Sequence, residues 1–326
     1  MIFARHESRE LMQAGVDGEV FYLRSRISPR QLWKDVVAFR HRVREFRPNL
    51  IHAQFGTMTA FFAAFATRTP AVVTYRGTDL NPDPSQTRFR SFLGRTLSRL
   101  AAAKAAGIVC VTSQLRSRLW WGRERAVVLP GSVDLDRFLP CERKQARAAL
   151  GWDADEFVVL FNLGRFPKVK RPDLAAAAVN AAAAEVGPIR LHVMDGSIDQ
   201  ATVPLLMNAS DSLIITSVCE GSPTILREAL ACNLPVVTVD VGDVRERLEG
   251  VTESHVVSRD MAELGGKLAE VLRRRQRSNG REAVQRLSVP QFTRDLAKLY
   301  RRALVANGKI EEAALLDLSL NTGEHA

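Results

Sequence analysis

The segment from residue 213 to residue 239 constrains the fold more than any other part of this chain of 326 residues. Its apolar runs at 213–215 and 235–239 are typical of buried strands. Ser222 followed by Pro223 indicates a helix entry between them, because a hydroxyl can cap a free amide and proline fits the first helical turn. The segment therefore predicts a strand, a helix and a second strand, the repeating unit of a parallel α/β sheet.

The predicted helix entry is a candidate site for an anion. Amides at the start of a helix carry partial positive charge and point towards whatever lies above them, so a phosphate group is a natural occupant. Gly221 allows the backbone to approach such a group closely. We therefore predict that Gly221, Ser222, Pro223 and Thr224 form a phosphate cradle.

Two glutamates, Glu220 and Glu228, flank this entry. A phosphate would repel both carboxylates unless they face other groups, and the obvious groups are the hydroxyls of a sugar and of a ribose. The combination suggests a nucleotide sugar. The alternative is an ordinary strand-loop-helix unit of an α/β protein, in which Glu228 is a solvated helix residue.

The stretch 216–243, with its two glutamates eight positions apart, resembles the donor-site motif of the retaining glycosyltransferases of family 4, the glycosyl transferases group 1. The segments 51–56, 72–80 and 129–138 resemble further parts of the same family, in the family's order. The resemblance spans roughly residues 3–300. It implies the GT-B fold class, with two Rossmann-like, doubly wound α/β domains that face each other across a cleft.

The resemblance also implies roles for individual residues. Glu220 would lie beside the transferred sugar, and Glu228 would accept hydrogen bonds from the ribose. Arg165 and Lys170 would neutralise the donor diphosphate, whose negative charge grows as the glycosidic bond breaks. Arg76 stands where the family often has a histidine. Since a guanidinium is no general base near neutral pH, Arg76 is a candidate catalytic residue only as a group that stabilises charge on the leaving phosphate.

The chain is longer than the roughly 250 to 300 residues at which a single core stops growing, so two domains are expected. Turn residues near Pro140 predict an acceptor-side domain at 1–140 and a nucleotide-sugar-binding domain at 141–326. A C-terminal helix at about 290–306 is expected to pack back on the first domain. Because residues 3–14 already have helical spacing and end at Gly15, the first domain is expected to lack the family's opening strand and glycine-rich loop.

The predicted elements alternate along the whole chain. Strands are predicted at 19–23, 50–54, 71–75, 108–112, 127–129, 157–163, 189–194, 213–215, 235–239 and 255–257. Helices are predicted at 31–46, 59–67, 88–106, 171–185, 223–232 and 260–275.

No metal and no separate cofactor are predicted, the nucleotide sugar being a substrate. Asp-x-Asp pairs at 134–136 and 153–155 have the spacing of metal-binding aspartates, but one lies in a turn and the other beside a helix end. In the fold that the resemblance implies, arginine, lysine and backbone amides carry the donor's charge instead.

The positive charge is concentrated in one half of the chain. Residues 1–140 hold 22 Lys and Arg against 11 Asp and Glu, a net charge of +11, whereas residues 141–326 hold 24 against 25, a net charge of −1. An anionic partner is expected for the first half. Nucleic acid is not expected, because the arginines do not alternate with stacking aromatics. Contact of the arginine-rich face at 31–47 with an anionic membrane and a merely solvated helix face both remain open.

Four cysteines without metal-ligand spacing or disulfide density, no signal peptide and no long apolar run predict a cytoplasmic protein, with a peripheral position at the inner face of the plasma membrane left open. The predicted function is transfer of a sugar, typical of a hexosyltransferase, from a nucleotide-sugar donor to a glycan or lipid-linked saccharide in polysaccharide or cell-envelope biosynthesis. The alternatives are a nucleotide-sugar epimerase of the same fold and a catalytically silent nucleotide- or glycan-binding relative.

Overall fold

A computed structural model describes residues 2–83, 86–164 and 167–322 of the chain, without the side chains of residues 2–6 and 317–322. The chain divides into two compact units, the first formed by Met1–Pro130 with Val289–Ala326 and the second by Gly131–Ser288. Within the described residues, no helix has the length and apolar character that a membrane crossing requires.

Helices and strands alternate through most of the chain. The strands are β1 (Ile51–Ala53), β2 (Ala71–Tyr75), β3 (Gly107–Cys110), β4 (Ala126–Val128), β5 (Phe157–Asn162), β6 (Ile189–Met194), β7 (Ser212–Ile215), β8 (Val236–Val239) and β9 (His255–Val257). The helices are α1 (Ile2–Gln13), α2 (Pro29–Phe46), α3 (Thr57–Ala66), α4 (Arg88–Lys104), α5 (Ser113–Ser117), α6 (Arg143–Leu150), α7 (Pro167–Lys170), α8 (Pro172–Val186), α9 (Val203–Ala209), α10 (Thr224–Ala231), α11 (Val244–Arg247), α12 (Met261–Arg274), α13 (Gly280–Val284), α14 (Val289–Val305) and α15 (Ile310–Thr322).

The first unit is built on a parallel sheet with the order β1-β2-β3-β4. Helices cover both faces, as a parallel sheet of mostly buried apolar strands requires. The alanines of α3 and α4 pack on one face, and α14 packs on the other through Leu296, Leu299 and Tyr300. The predicted opening helix is confirmed as α1, and no strand precedes β1 in the part of this unit that the structure describes.

The second unit holds a parallel sheet with the order β6-β5-β7-β8-β9. The chain leaves β5 for β6 on one side and returns to β7 on the other. The direction of winding therefore reverses between β5 and β7, and loops at such a switch point open a crevice at the carboxyl ends of the strands. The loops after β5 and β7 are thus the natural place for a ligand in this unit.

Nine of the ten predicted strands are confirmed, most within one or two residues, but the strand predicted at 19–23 is wrong. These residues pair with no strand of the described chain. Phe21 packs on helices instead: its ring lies 4.9 Å from that of Phe39 and 6.3 Å from that of Phe62, measured between centroids, while Val20 and Tyr22 are exposed. An alternating apolar pattern can mark the edge of a helical layer as well as a strand.

The division between the units lies at Pro130 and Gly131, whereas the sequence predicts it at residue 140. Val133 and Phe138 are buried in the core of the second unit, and the Val133 amide donates to the Leu287 carbonyl at 2.8 Å. The turn segment at 131–140 that suggested the boundary therefore belongs to the second unit.

Candidate functional site

The loops after β5 and β7 in the second unit are bound to each other through their backbones. The Val218 amide donates to the Val169 carbonyl at 2.8 Å. The Thr216 hydroxyl donates to the carbonyls of Lys170 and Arg171 at 2.8 and 3.0 Å. The short helix α7 is thereby held against the end of β7, at the switch point of the sheet.

This contact brings together two of the predicted site residues, Lys170 and Glu220. The Lys170 ammonium lies 2.5 Å from Glu220 Oε1, and the two side chains are 17% and 18% exposed. The Ser217 hydroxyl donates to the same carboxylate oxygen at 2.8 Å. Because both charged groups still reach solvent, each can exchange its partner for a ligand without leaving a charge buried alone.

The prediction that Ser222 caps a helix beginning at Pro223 is wrong. Helix α10 begins at Thr224, and its N-cap residue is Pro223, which has no side chain that can cap. The Ser222 hydroxyl instead donates to Asp243 Oδ2 at 2.9 Å and accepts from Arg227 Nη1 at 2.6 Å. The hydroxyl joins two elements of the fold, so it does not satisfy an amide of the helix start.

The loops after β7 and β8 touch through two glycines. Gly242 has a φ of +59°, and a Cβ there would lie 2.1 Å from the Gly221 carbonyl oxygen. Residue 242 must therefore be glycine both for its left-handed conformation and for the space. The close approach of the Gly221 backbone to a phosphate stays a prediction, because the contact seen here is between two loops of the unit.

Asp243 was missed by sequence reasoning. Its side chain is almost fully buried at the end of β8, where it accepts from Ser222 and lies 3.4 Å from Arg247 Nε. Burial raises the pKa of this carboxyl group. The available signal was an acidic residue directly after Gly242 at the end of a predicted strand.

Arg227 was also missed, because a charged residue in a helical pattern is expected at the surface. It is 4% exposed, and its guanidinium donates to the Ser222 carbonyl at 3.2 Å and to the Thr224 hydroxyl at 3.2 Å. A Cβ at Gly131 would lie 2.8 Å from Arg227 Nη2. Arg227 thus holds the start of α10 and leaves no room for a side chain at residue 131.

The remaining predicted donor residues lie at different depths. Pro223 is buried, Thr224 is exposed and Glu228 is half-buried on α10. Burial raises the pKa of the nearby Cys232 thiol to about 12, with the charge of Glu228 acting in the same direction. Arg165 lies outside the described residues.

In the first unit, Arg76 follows β2 and is enclosed by acceptors. Arg76 Nη2 donates to Glu7 Oε2 of α1 at 2.6 Å and to the Gln54 side-chain oxygen, and Arg76 Nε donates to the Gln54 carbonyl at 3.0 Å. The side chains of Arg76 and Glu7 are 11% and 5% exposed. The charge of Arg76 is therefore balanced within the unit, and its predicted catalytic role stays a prediction.

Asp79 organises the loop that carries Arg76. Its buried carboxylate accepts from the amides of Gly56, Arg76 and Gly77 at 3.0, 2.8 and 2.8 Å. Burial raises the pKa of this group, while the three amides oppose that rise. The loop after β2 is thus fixed from inside by an acidic residue that faces no solvent.

His52 lies beneath the same loop and is held on both sides. Its Nδ1 lies 2.6 Å from the Tyr300 hydroxyl, and its Nε2 lies 2.7 Å from the Thr74 hydroxyl. Burial, aided by the charge of Arg76, lowers the pKa of His52 to about 3. The imidazole is neutral at physiological pH and links β1 to α14.

The two Asp-x-Asp pairs stabilise turns. Asp134 Oδ1 accepts from the amides of Asp136 and Arg137 at 3.1 and 2.9 Å, and Asp153 Oδ1 accepts from the amide of Asp155 at 2.7 Å. Both first aspartates make the local bonds that aspartate commonly makes in turns.

Two parallel-sheet α/β units, the second with a switch point between its central strands, define a protein of the GT-B fold class. Sucrose-phosphate synthase of Thermosynechococcus elongatus has a similar structure, with a TM-score of 0.77 over 94% of this chain and 93% of that one, at 20% identity. HepE of Anabaena, solved in complex with UDP and glucose, superposes with a TM-score of 0.67 over 89% and 88%, at 19% identity. At such identities the likeness concerns the fold alone.

Sequence comparison gives the family. The family model for Glycosyltransferase Family 4 matches residues 1–137, and that for Glycosyl transferases group 1 matches residues 183–274, so that the two together cover more than half of the chain. The chain belongs to the family 4, or group 1, glycosyltransferases.

Curated relatives are similar over part of their length. The Bacillus subtilis protein TuaC, named for a glycosyltransferase of teichuronic acid biosynthesis, is 28% identical over 223 residues, which are 62% of this chain and 55% of TuaC. The D-inositol 3-phosphate glycosyltransferase of Geodermatophilus obscurus is 31% identical over 186 residues, 47% of this chain and 41% of that protein. The chain thus spans about half the length of the curated relatives it matches.

Proposed function

We propose that this protein is a retaining glycosyltransferase that moves a sugar from a nucleotide-sugar donor to a glycan or lipid-linked saccharide acceptor. The observation that carries the proposal is the partly buried pair of Lys170 and Glu220, which still reaches solvent, at the switch point between β5 and β7. A cation for the diphosphate and an anion for the sugar hydroxyls are there within reach of one ligand. The names of the curated relatives, which are glycosyltransferases, support the reaction type.

The donor would lie above the start of α10. The backbone amides near Ser222 and the exposed Thr224 would face the phosphates, which suit the positive end of a helix. Glu228, four residues further along the helix than Thr224, would accept hydrogen bonds from the ribose hydroxyls. Solved complexes of HepE with UDP and with UDP-glucose support a nucleotide sugar as the ligand class.

Catalysis would begin with an exchange of partners. On donor binding, the Lys170 ammonium would turn from Glu220 to the diphosphate, and Arg165 would join it. Glu220 would then face the sugar, where positive charge develops as the glycosidic bond breaks. Neutralisation of the leaving diphosphate by two cations and the helix amides is the main source of rate enhancement and requires no metal ion.

The acceptor would bind to the first unit, and we propose an acceptor that is itself anionic or lipid-linked. The net charge of +11 in residues 1–140 supports this class, as do the relatives named for teichuronic acid and inositol phosphate. An acceptor of this kind would place the protein at the inner face of the plasma membrane, in polysaccharide or cell-envelope biosynthesis.

The first experiment is a screen of UDP-, GDP- and ADP-sugars by thermal shift, followed by calorimetry on the best ligand. The Glu228→Gln variant should bind that donor about ten to a hundred times more weakly, because each hydrogen bond to a charged group contributes about 1.5 to 3 kcal/mol. The matched control is Glu249→Gln, an exposed glutamate of the same unit. Failure of every nucleotide sugar to bind, or equal affinities of the two variants, would contradict the proposal.

The reaction itself is tested with the donor so identified. Transfer to a lipid-linked or soluble saccharide with retained anomeric configuration, read by nuclear magnetic resonance of the product, is expected. One observation favours a catalytically silent relative instead: Arg76 is bound to Glu7 and Gln54. Donor binding without hydrolysis or transfer would support that alternative, and isomerisation of the donor alone would identify an epimerase.

A further inference from the structure

Helix α4 of the first unit turns its apolar side towards solvent. Phe89 and Phe92 are 76% and 54% exposed, and Leu93 and Leu100 are exposed beside them. The four positions recur at three, four and seven residues, so they form one stripe of the helix, which we call the α4 apolar face.

The opposite side of α4 is buried and partly polar. Ser91 and Ser98 point into the unit, where Ser91 accepts from the Asp83 amide at 3.0 Å and Ser98 accepts from the Thr57 amide at 2.7 Å. A helix at the surface normally buries its apolar side chains and exposes its polar ones, whereas α4 exposes phenylalanines and buries serines. An apolar stripe exposed in this way indicates a surface that meets something other than water.

Positive charge borders the α4 apolar face. The helix carries five basic residues and no acidic one: Arg88, Arg90, Arg95, Arg99 and Lys104. In the part of the chain that the structure describes, none of these five side chains forms an ion pair. Burial and the charges of Arg95 and Arg118 lower the pKa of Arg99, so these guanidinium groups crowd one another. Such crowding is relieved by an anion.

Two exposed tryptophans extend the face. Trp120 and Trp121 follow α5, and the Arg99 guanidinium lies 4.0 Å from the centroid of the Trp120 ring. On the other side of the helix, the Lys104 ammonium lies 4.6 Å from the ring of Phe65. Aromatic rings beside arginine and lysine are typical of surfaces that rest at the boundary between lipid headgroups and acyl chains.

We propose that the α4 apolar face, with Trp120 and Trp121, docks this unit onto a bilayer that contains anionic lipids. The phenylalanines enter the headgroup region, and the arginines contact lipid phosphates, which adds a favourable electrostatic contribution for each charge. A lipid surface suits this face better than a protein, since the uncompensated positive charge surrounds the apolar stripe on both sides. The proposal deepens the membrane-associated part of the proposed function and does not depend on sugar transfer.

The arginine-rich face at 31–47, which the sequence offered for this role, is less suited to it. Arg42 is paired with Glu19 and Glu45, and Arg40 donates to the Ala66 carbonyl at 2.7 Å. Arg42 is thus neutralised by carboxylates of the unit, whereas the cations of α4 have no acidic partner among the described residues, although Arg99 Nε donates to the Arg118 carbonyl at 3.4 Å.

The test is flotation of the full chain with vesicles of phosphatidylcholine alone or mixed with phosphatidylglycerol, without donor or acceptor. The wild-type protein should float only with the mixed vesicles. The double variant Phe89→Ser, Phe92→Ser should bind at least about tenfold more weakly, because the apolar contribution is lost. Arg95→Gln with Arg99→Gln should remove most of the dependence on phosphatidylglycerol. The control is Trp33→Ser, which removes an equally exposed aromatic residue from α2.

Three results would overturn the proposal. The phenylalanine variant could float like the wild type, the Trp33 variant could lose as much binding, or ultracentrifugation could find a dimer that the phenylalanine variant dissociates. In the last case the α4 apolar face joins two copies of the chain. Unchanged melting temperatures of all variants show that folding is not the cause. Since neither donor nor acceptor is present, failure here leaves the proposed transfer reaction untouched.

Discussion

The two units place a cation at the carboxyl end of a parallel strand and use it differently. In the first unit, Arg76 after β2 is buried against Glu7 and Gln54. In the second unit, Lys170 after β5 meets Glu220 close to the surface. The side chains of Arg76 and Glu7 are 11% and 5% exposed and those of Lys170 and Glu220 are 17% and 18% exposed, so the second pair reaches water more readily and can change partners more easily. The comparison indicates that the loop of the first unit maintains the fold and that the loops of the second unit are free to bind.

Breaking the two ion pairs should cost different amounts of folding stability. Removing one partner from a buried ion pair costs about 3 to 5 kcal/mol, because the other charge stays buried and uncompensated. A pair that keeps contact with water loses less when it is broken, since water screens it and can replace either partner, and a fully exposed pair contributes only about 0 to 1 kcal/mol. Substitutions in the two units should therefore change different measurements.

The largest effect is expected for Arg76→Met. The free energy of unfolding in urea should fall by about 3 kcal/mol, because the buried Glu7 side chain loses its partner. The affinity for the donor should stay unchanged. Arg68→Met, an exposed arginine of the same unit, is the control and should leave stability within about 0.5 kcal/mol of the wild type. A lower turnover with unchanged stability would instead support the catalytic role predicted for Arg76.

Lys170→Met should give the opposite pattern. The donor should bind about ten to a hundred times more weakly, which is about 1.4 to 2.8 kcal/mol, because the diphosphate loses a cation. Stability should change by less than about 1 kcal/mol, since Glu220 keeps the hydroxyl of Ser217 and contact with water.

The control for Lys170 lies on the same short helix. Lys168 is exposed, so Lys168→Met removes an equal charge from α7 without touching Glu220. If the two variants bind the donor equally well, the exchange of partners proposed for Lys170 does not occur.

The sequence predicts the strands of both sheets well, because buried parallel strands are short apolar runs with turns on either side. It also predicts that Lys170 and Glu220 belong to one site. It does not reveal that they touch, because a distance between residues 50 positions apart depends on how β5 and β7 are paired. Arg227 and Asp243 were missed for the same reason: each is a charged side chain whose burial becomes plain only when neighbouring loops are in place.

His52 of the first unit should make the stability of the protein depend on pH. Its pKa is about 3 in the folded protein and near 6.5 when unfolded, so the unfolded chain binds the extra proton between these values. Stability from this group is therefore present above about pH 6.5 and is lost as the pH falls, by about 1.4 kcal/mol per pH unit.

The measurement is urea unfolding at several pH values between 7 and 4, for the wild type and for His52→Gln. The variant should be less stable at neutral pH but should lack this slope. The buried Asp79 and Asp243 have raised pKa values and act in the opposite direction, so only the difference between the two proteins isolates His52. His41→Gln, at an exposed position of α2, should keep the slope of the wild type. If the free energy of unfolding depends on pH in the same way for the wild type and for His52→Gln, the slope does not come from His52.

The smallest effect concerns Ser222, where the contrast between the units recurs inside the second one. Its hydroxyl is bound on both sides, to Asp243 and to Arg227, although it belongs to the predicted phosphate cradle. Ser222→Ala should therefore lower the free energy of unfolding by about 1 kcal/mol and change donor affinity by less than about threefold. Thr224→Ala is the matched variant, because this residue is exposed at the start of α10 and its hydroxyl has one partner, Arg227 at 3.2 Å, so it should contact the donor. It should weaken donor binding with little change in stability. If Ser222→Ala is the variant that loses affinity, its hydroxyl leaves Asp243 when the donor binds, and this part of the site rearranges as the Lys170 pair does.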